Sequence, residues 1–169
     1  IRYDGTISGT GFLDKAGLGM LTLPGDSGAF DGHAAIHNGV LTVNGMLGGT
    51  LHVLPHASLH GAGHIGATTV EGTVAPGNSI GTLTVHGNYV QLHGSTYEVE
   101  IDPGGASDQV IVTDLADIHA SIQGVIIEDS RFIREAVSDR VRQAFHLAGT
   151  QSPDTPGHIL QQNSATDGA

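Results

Sequence analysis

The stretch Gly72-Thr-Val-Ala-Pro-Gly-Asn-Ser-Ile-Gly-Thr-Leu-Thr-Val-His-Gly87 decides the reading, because it places a tight turn between two short alternating strands. Pro76, Gly77, Asn78 and Ser79 carry the turn chemistry. Proline presets φ, glycine accepts φ > 0, and Asn and Ser can hydrogen-bond to nearby backbone. Leu83 and Val85 then point one way and Thr82, Thr84 and His86 the other, since side chains alternate along a strand. The result is a strand with one dry face.

Outward from this stretch, residues 7–113 are β-prone words of three to five residues separated by Gly, Asn, Asp or Pro. Met20-Leu-Thr-Leu23, Val40-Leu-Thr-Val43, Thr50-Leu-His-Val53, Tyr97-Glu-Val-Glu-Ile101 and Gln109-Val-Ile-Val112 are examples. Leu-Thr-Val, a polar residue and Gly occur at 41–45 and again at 83–87. A repeated turn–strand unit is the mark of a solenoid or a stacked sheet. The spacing also fits a sandwich or barrel. Two features favour a β-helix: few two-residue hairpin signals join consecutive strands, and abundant glycine suits corners of rungs stacked at about 4.8 Å. Leu, Val and Ile would then form inward columns, with Thr, His, Asn and Glu outward.

Composition agrees with a thin, layered architecture. The 169 residues include 26 Gly, no Trp, four Phe and three Tyr, so the interior must be filled by Val, Leu, Ile and Ala. A formal net charge of -11 argues against nucleic acid or anionic lipid as the partner of the body. With no cysteine there is no disulfide or thiolate metal site. No apolar run reaches the ~18 residues of a spanning helix. The N-terminus, Ile1-Arg-Tyr-Asp-Gly5, has neither Met nor a signal core, and we read the chain as a piece of a longer one.

After Thr113 the pattern changes. We read 1–113 as the β-helix, with its terminal rungs at about 88–113, then a connector at 114–127. Across 128–148, Phe132, Ile133, Val137, Val141 and Phe145 fall at three- and four-residue spacing between charged residues, which predicts an amphipathic helix. Residues 149–169 have the composition of a polar linker.

Chemistry-bearing motifs are few. Gly25-Asp-Ser27-Gly28 resembles the words around a protease nucleophile, but no His precedes Ser27 to serve as its base. Gly77-Asn-Ser79-Ile-Gly81 matches a nucleophile elbow, which requires a following helix, whereas a strand follows. Both are read as turns, with no catalytic residue. Of 11 histidines, His52, His56, His60 and His64 recur every fourth position. On a helix this would be a metal stripe, but Pro55, Gly61 and Gly63 interrupt one, so His52, His56, His60 and His64 are weak metal candidates only, with His52 and His60 read as outward wall positions. Glu98, Glu100, Asp102 and Asp108 lack the spacing of a calcium loop and are read as a solvated acidic edge. No cofactor, nucleic acid or small-molecule substrate is expected.

Gly9-Thr-Gly-Phe-Leu-Asp-Lys-Ala-Gly-Leu-Gly-Met-Leu-Thr-Leu-Pro-Gly25 resembles the passenger-associated repeat of bacterial autotransporters, proteins of type V secretion. Phe30 and Gly32 stand where that family carries Tyr-Thr-Gly. Gly39–Gly45 is similar to the strand closing the repeat, and Ala75–Val85 to its recurrent turn and strand. Ser95–Ile101 with Ser107–Thr113 looks like its terminal rungs. Glu128–Arg142 is similar to the helix leading to the barrel, best matched among subtilisin-like members. Between Thr113 and Ile126 the family usually has further strands, whereas only Asp114–Val125 intervene here, and the end of the solenoid is read as shortened, swapped or engineered.

The resemblance implies a right-handed parallel β-helix exported through an outer-membrane β-barrel translocator, its own partner, and located at the cell surface or secreted. Tyr97, Val99, Ile101, Val110 and Val112 would belong to rungs that help the passenger fold as it emerges. The implied function is a non-catalytic stalk supporting an upstream effector domain. A His-rich metal- or pH-responsive module, and a fragment of a secreted serine protease or esterase whose catalytic domain lies elsewhere, stand as alternatives. Self-association through the helix face is a further expectation.

Overall fold

A computed structural model describes residues 1–102, 104–126 and 145–147. The described chain is an all-β parallel solenoid whose strands fall on three walls. The first wall stacks β1 (Phe12–Lys15), β4 (His33–Ile36), the second half of β6 (Met46–Val53), the second half of β8 (His64–Val70), β11 (Tyr89–Gln91) and β14 (Ala116–Ile118). The second is a six-stranded sheet of β2 (Met20–Leu23), β5 (Gly39–Val43), β7 (Ala57–Gly61), β9 (Thr73–Pro76), β12 (Thr96–Ile101) and β15 (Ser121–Ile126). The third runs from β3 (Asp26–Ser27) through the first halves of β6 and β8 to β10 (Thr82–Val85), β13 (Gln109–Val112) and β16 (Phe145–Leu147).

The alternation in each word becomes a column across rungs because every strand pair is parallel and, apart from one shift between β6 and β8, in continuous register. Leu21, Leu41, Leu59, Val74 and Tyr97 are successive register partners on the second wall. Ser27, Leu47, Ile65, Val85 and Val112 are partners on the third. Leu41, Leu47, Leu59, Ile65, Val74 and Val85 are all buried, so the interior is a continuous dry stack. Full burial of each such side chain contributes about 1.5–3 kcal/mol.

One corner shows why glycine is needed. The ladder shifts register between Leu47 and Thr50, where β6 bends from the third wall to the first. Gly49 has φ +67°, and a Cβ on Gly66 in the next rung would lie 1.9 Å from the Gly49 carbonyl oxygen. Stacked backbone at this corner leaves no room for a side chain.

Three expectations change. Residues 114–127 are not a bare connector: β14 pairs with β11 and β15 with β12, continuing the solenoid past Thr113. Pro76 is the buried last residue of β9, and the turn begins at Gly77. Phe145–Leu147, the end of the expected helix, is strand β16 in register with Val110–Val112. The rest of that helix, including Phe132, Ile133, Val137 and Val141, and the 149–169 tail lie outside the described residues. No helix occurs among the described residues.

Candidate functional site

The corner between the second and third walls is built by Asn44-Gly45, then Ala62-Gly63, then the longer turn 77–81. Asn44 stitches the three together: its Oδ1 accepts the Ala62 N–H at 3.3 Å and the Asn78 Nδ2–H at 2.9 Å. Gly77 adopts φ +90°, and a Cβ there would lie 2.0 Å from the Ser79 carbonyl oxygen and 2.7 Å from Asp108 Oδ1. Ser79 holds φ +139°, a strained region for a residue with a side chain.

Asp108, only 1% exposed, locks this turn onto the terminal rungs. Its Oδ1 accepts the Gly81 N–H at 2.9 Å and its Oδ2 accepts the Glu100 N–H at 2.8 Å. Its own N–H donates to the Glu100 carbonyl at 2.9 Å. One carboxylate therefore ties the turn after β9 to both β12 and the start of β13. Burial raises its pKa from 3.8 to about 6, against the two N–H donors, and the Glu100 and Glu98 carboxylates push the same way as burial. Glu100 Oε2 is itself buried without a hydrogen bond. The solvated acidic edge expected here is thus overturned at Asp108.

Beside this latch the core turns polar. Tyr89 and Tyr97 are fully buried; the Tyr89 hydroxyl donates to Gln91 Oε1 at 3.0 Å, and the Tyr97 hydroxyl donates to the Asp108 carbonyl at 3.5 Å. Burial raises both phenol pKa values well above the usual range. Gln91 Nε2 is buried with no partner. The other residues named for these rungs, Val99, Ile101, Val110 and Val112, are buried as the alternation requires.

The histidines are dispersed. His52, on β6, meets Glu71 Oε1 at 2.6 Å. His56 stands in the turn before β7. His60, on β7, is half-buried, and burial lowers its pKa, while the Glu98 carboxylate opposes. His64 contacts His86 of the next rung, Nδ1 to Nε2, at 3.0 Å. The every-fourth stripe is therefore not one site, and among the described residues no three His, Asp or Glu side chains gather as a metal cage. Ser27 is buried with its Oγ accepting the Ile7 N–H at 2.9 Å. Among the described residues no hydrogen bond joins Ser79 to a histidine or a carboxylate.

The sequence held a signal for the latch. Asp108 shares the parity of Val110 and Val112, which are inward, and Gln91 shares that of Tyr89. Reading polar residues as outward by type overrode their position in the period.

No protein-family profile matches the chain. It is 36% identical over 110 residues to an extracellular serine protease of Serratia marcescens, a match covering 64% of this chain and 10% of that protein. It is 41% identical over 95 residues to the adhesin BmaC autotransporter of Brucella suis biovar 1, covering 56% of this chain and 3% of that protein. The chain is an autotransporter passenger-like β-solenoid. The parallel ladder is the architecture this likeness implies, and the relatives' names accord with a location at the cell surface or in the secreted state. Since the match spans a tenth or less of either relative, the autotransporter likeness concerns the solenoid and not their activities.

Proposed function

We propose that this solenoid is a non-catalytic stalk of an autotransporter passenger and that its terminal rungs act as a folding platform. The observation that carries this reading is the Asp108 latch. It joins the turn after β9, the strand β12 and the strand β13 through one buried group, so the rung closes as a unit. Hydrogen-bonded polar groups in a dry core specify register more sharply than interchangeable aliphatics, because a slipped strand leaves them unpaired. A rung with its register fixed then presents open backbone edges on which the neighbouring rung can form. During emergence through the outer-membrane barrel, the partner this reading assigns, each added rung would make return less favourable without an energy-carrying nucleotide.

The test is made in the full-length protein displayed on cells. Deletion of 95–113 is expected to leave synthesis intact and to abolish surface display and protease resistance. Asp108→Ala is expected to reduce both in part. Unchanged display and resistance after the deletion would refute the role.

A further inference from the structure

His64 and His86 make a contact of a different kind from the other histidines. They come from neighbouring rungs, 22 residues apart in sequence, and their rings stack at 5.2 Å between centroids with 26° between planes. His64 Nδ1 and His86 Nε2 face each other at 3.0 Å, and both side chains are exposed. His37, His52 and His119 instead meet carboxylates, of Asp14, Glu71 and Asp117. Two imidazole nitrogens in direct contact share a single proton when the rings are neutral, and a cation can take the place of that proton.

We propose that His64 and His86 form a two-imidazole site for a tetragonal divalent transition metal, of which copper(II) is the strongest binder. The separation is within reach of adjacent ligands on one ion. With metal–nitrogen bonds of about 2.0–2.1 Å, a 3.0 Å separation gives an angle at the metal of about 91–97°. A near-right angle is that of adjacent ligands in square-planar or tetragonal copper(II) and nickel(II).

Binding needs no net deprotonation. The ring whose N–H fills the shared hydrogen bond carries that proton on its other nitrogen, and both lone pairs turn to the ion. Small rotations about exposed side chains suffice, and the backbone ladder fixes the spacing of the two strands. Access is open. His86 lines a furrow of about 360 Å³ with Asp31, Gly48 and Thr50, which leaves room for the ion's waters.

Copper(II) is titrated into the whole 169-residue chain, with calorimetry and electron paramagnetic resonance as readouts. One tight equivalent with a tetragonal signal and coupling to two imidazole nitrogens is the expected result. His64→Asn and His86→Asn should each weaken that equivalent at least tenfold and reduce the coupling to one nitrogen. His119→Asn, which removes the ring tilted against His93, should leave it unchanged. The proposal is overturned if the wild type shows one coupled nitrogen, if both variants bind as the wild type does, or if His119→Asn removes the site. Unchanged circular dichroism of the metal-free variants confirms that they fold. Should either variant misfold, the nitrogen count of the wild type alone decides.

Discussion

The rungs up to β9 and the rungs from β11 onward occupy the same columns with different chemistry. On the second wall Leu41, Leu59 and Val74 are followed by Tyr97. On the first, Leu51, Thr68 and Tyr89 are successive partners, and so are Val53, Val70 and Gln91. The lower rungs are held chiefly by volume and by backbone stacking, which tolerate exchange of one aliphatic for another, and their buried polar side chains are small hydroxyls such as Ser27 and Thr68. The terminal rungs are held by groups that must find specific partners. A solenoid therefore has two separable properties, cohesion along the stack and definition of register, and this chain concentrates the second at one end.

The largest expected effect comes from breaking the stack where it allows no side chain. Gly66→Ala sets a Cβ 1.9 Å from the Gly49 carbonyl oxygen, and backbone cannot yield as a flexible side chain would. The rungs on either side must separate, at a cost of roughly 3 kcal/mol or more. Urea unfolding should show this loss together with a smaller dependence on denaturant, as the ladder comes apart at that corner. A loss under about 1 kcal/mol would mean the lower rungs shift freely, and the contrast with the terminal rungs would fail.

Breaking the latch should cost less and should depend on pH. Asp108→Ala leaves the Gly81 and Glu100 N–H groups without acceptors, a penalty of about 2–3 kcal/mol, partly offset at pH 7 by removal of a buried charge. Asp108 is raised from 3.8 to about 6 by folding, so the folded state takes up a proton that the unfolded chain does not. Its contribution is fully present below pH 3.8 and is lost as pH rises through about 6. The penalty of Asp108→Ala should therefore grow on going from pH 7 to pH 4, by roughly 2–3 kcal/mol at 1.36 kcal/mol per unit. His60 works in the opposite direction, since its lowered value costs stability as pH falls through 6.5. It is common to both proteins and cancels in the difference. A penalty larger at pH 7 than at pH 4 would show that the carboxylate is favourable in its charged form.

The solenoid itself was readable from the sequence, and the contrast within it was not. Alternation in Thr82–Val85 and Tyr97–Ile101 identified the walls, and the repeated turn chemistry identified the corners. The three-residue strand Ala116–Ile118 escaped because it is too short to show a period; only its pairing with β11 defines it. His64 and His86 were invisible as a pair because their contact depends on the rise of one whole rung, while sequence spacing suggested His60 as the neighbour. Asp108 was misplaced because residue type was weighed above parity.

The smallest effect gives the sharpest test of whether polar groups at the terminal end add stability or only definition. Tyr89→Phe removes the donor to Gln91 Oε1, leaving both ends of a buried amide without partners, and should cost about 1–2 kcal/mol. Gln91→Met leaves the Tyr89 hydroxyl unpaired and should cost a similar amount. The double variant leaves nothing polar to satisfy in that pair of side chains, and its melting temperature should return to that of the wild type or exceed it. Such a cycle, with a coupling of about 2–4 kcal/mol in magnitude, would place the value of the pair in rejecting wrong registers. Simple addition of the two losses would mean that the hydrogen bond and the amide stabilise the terminal rung in their own right, and the division between cohesive and defining rungs would disappear.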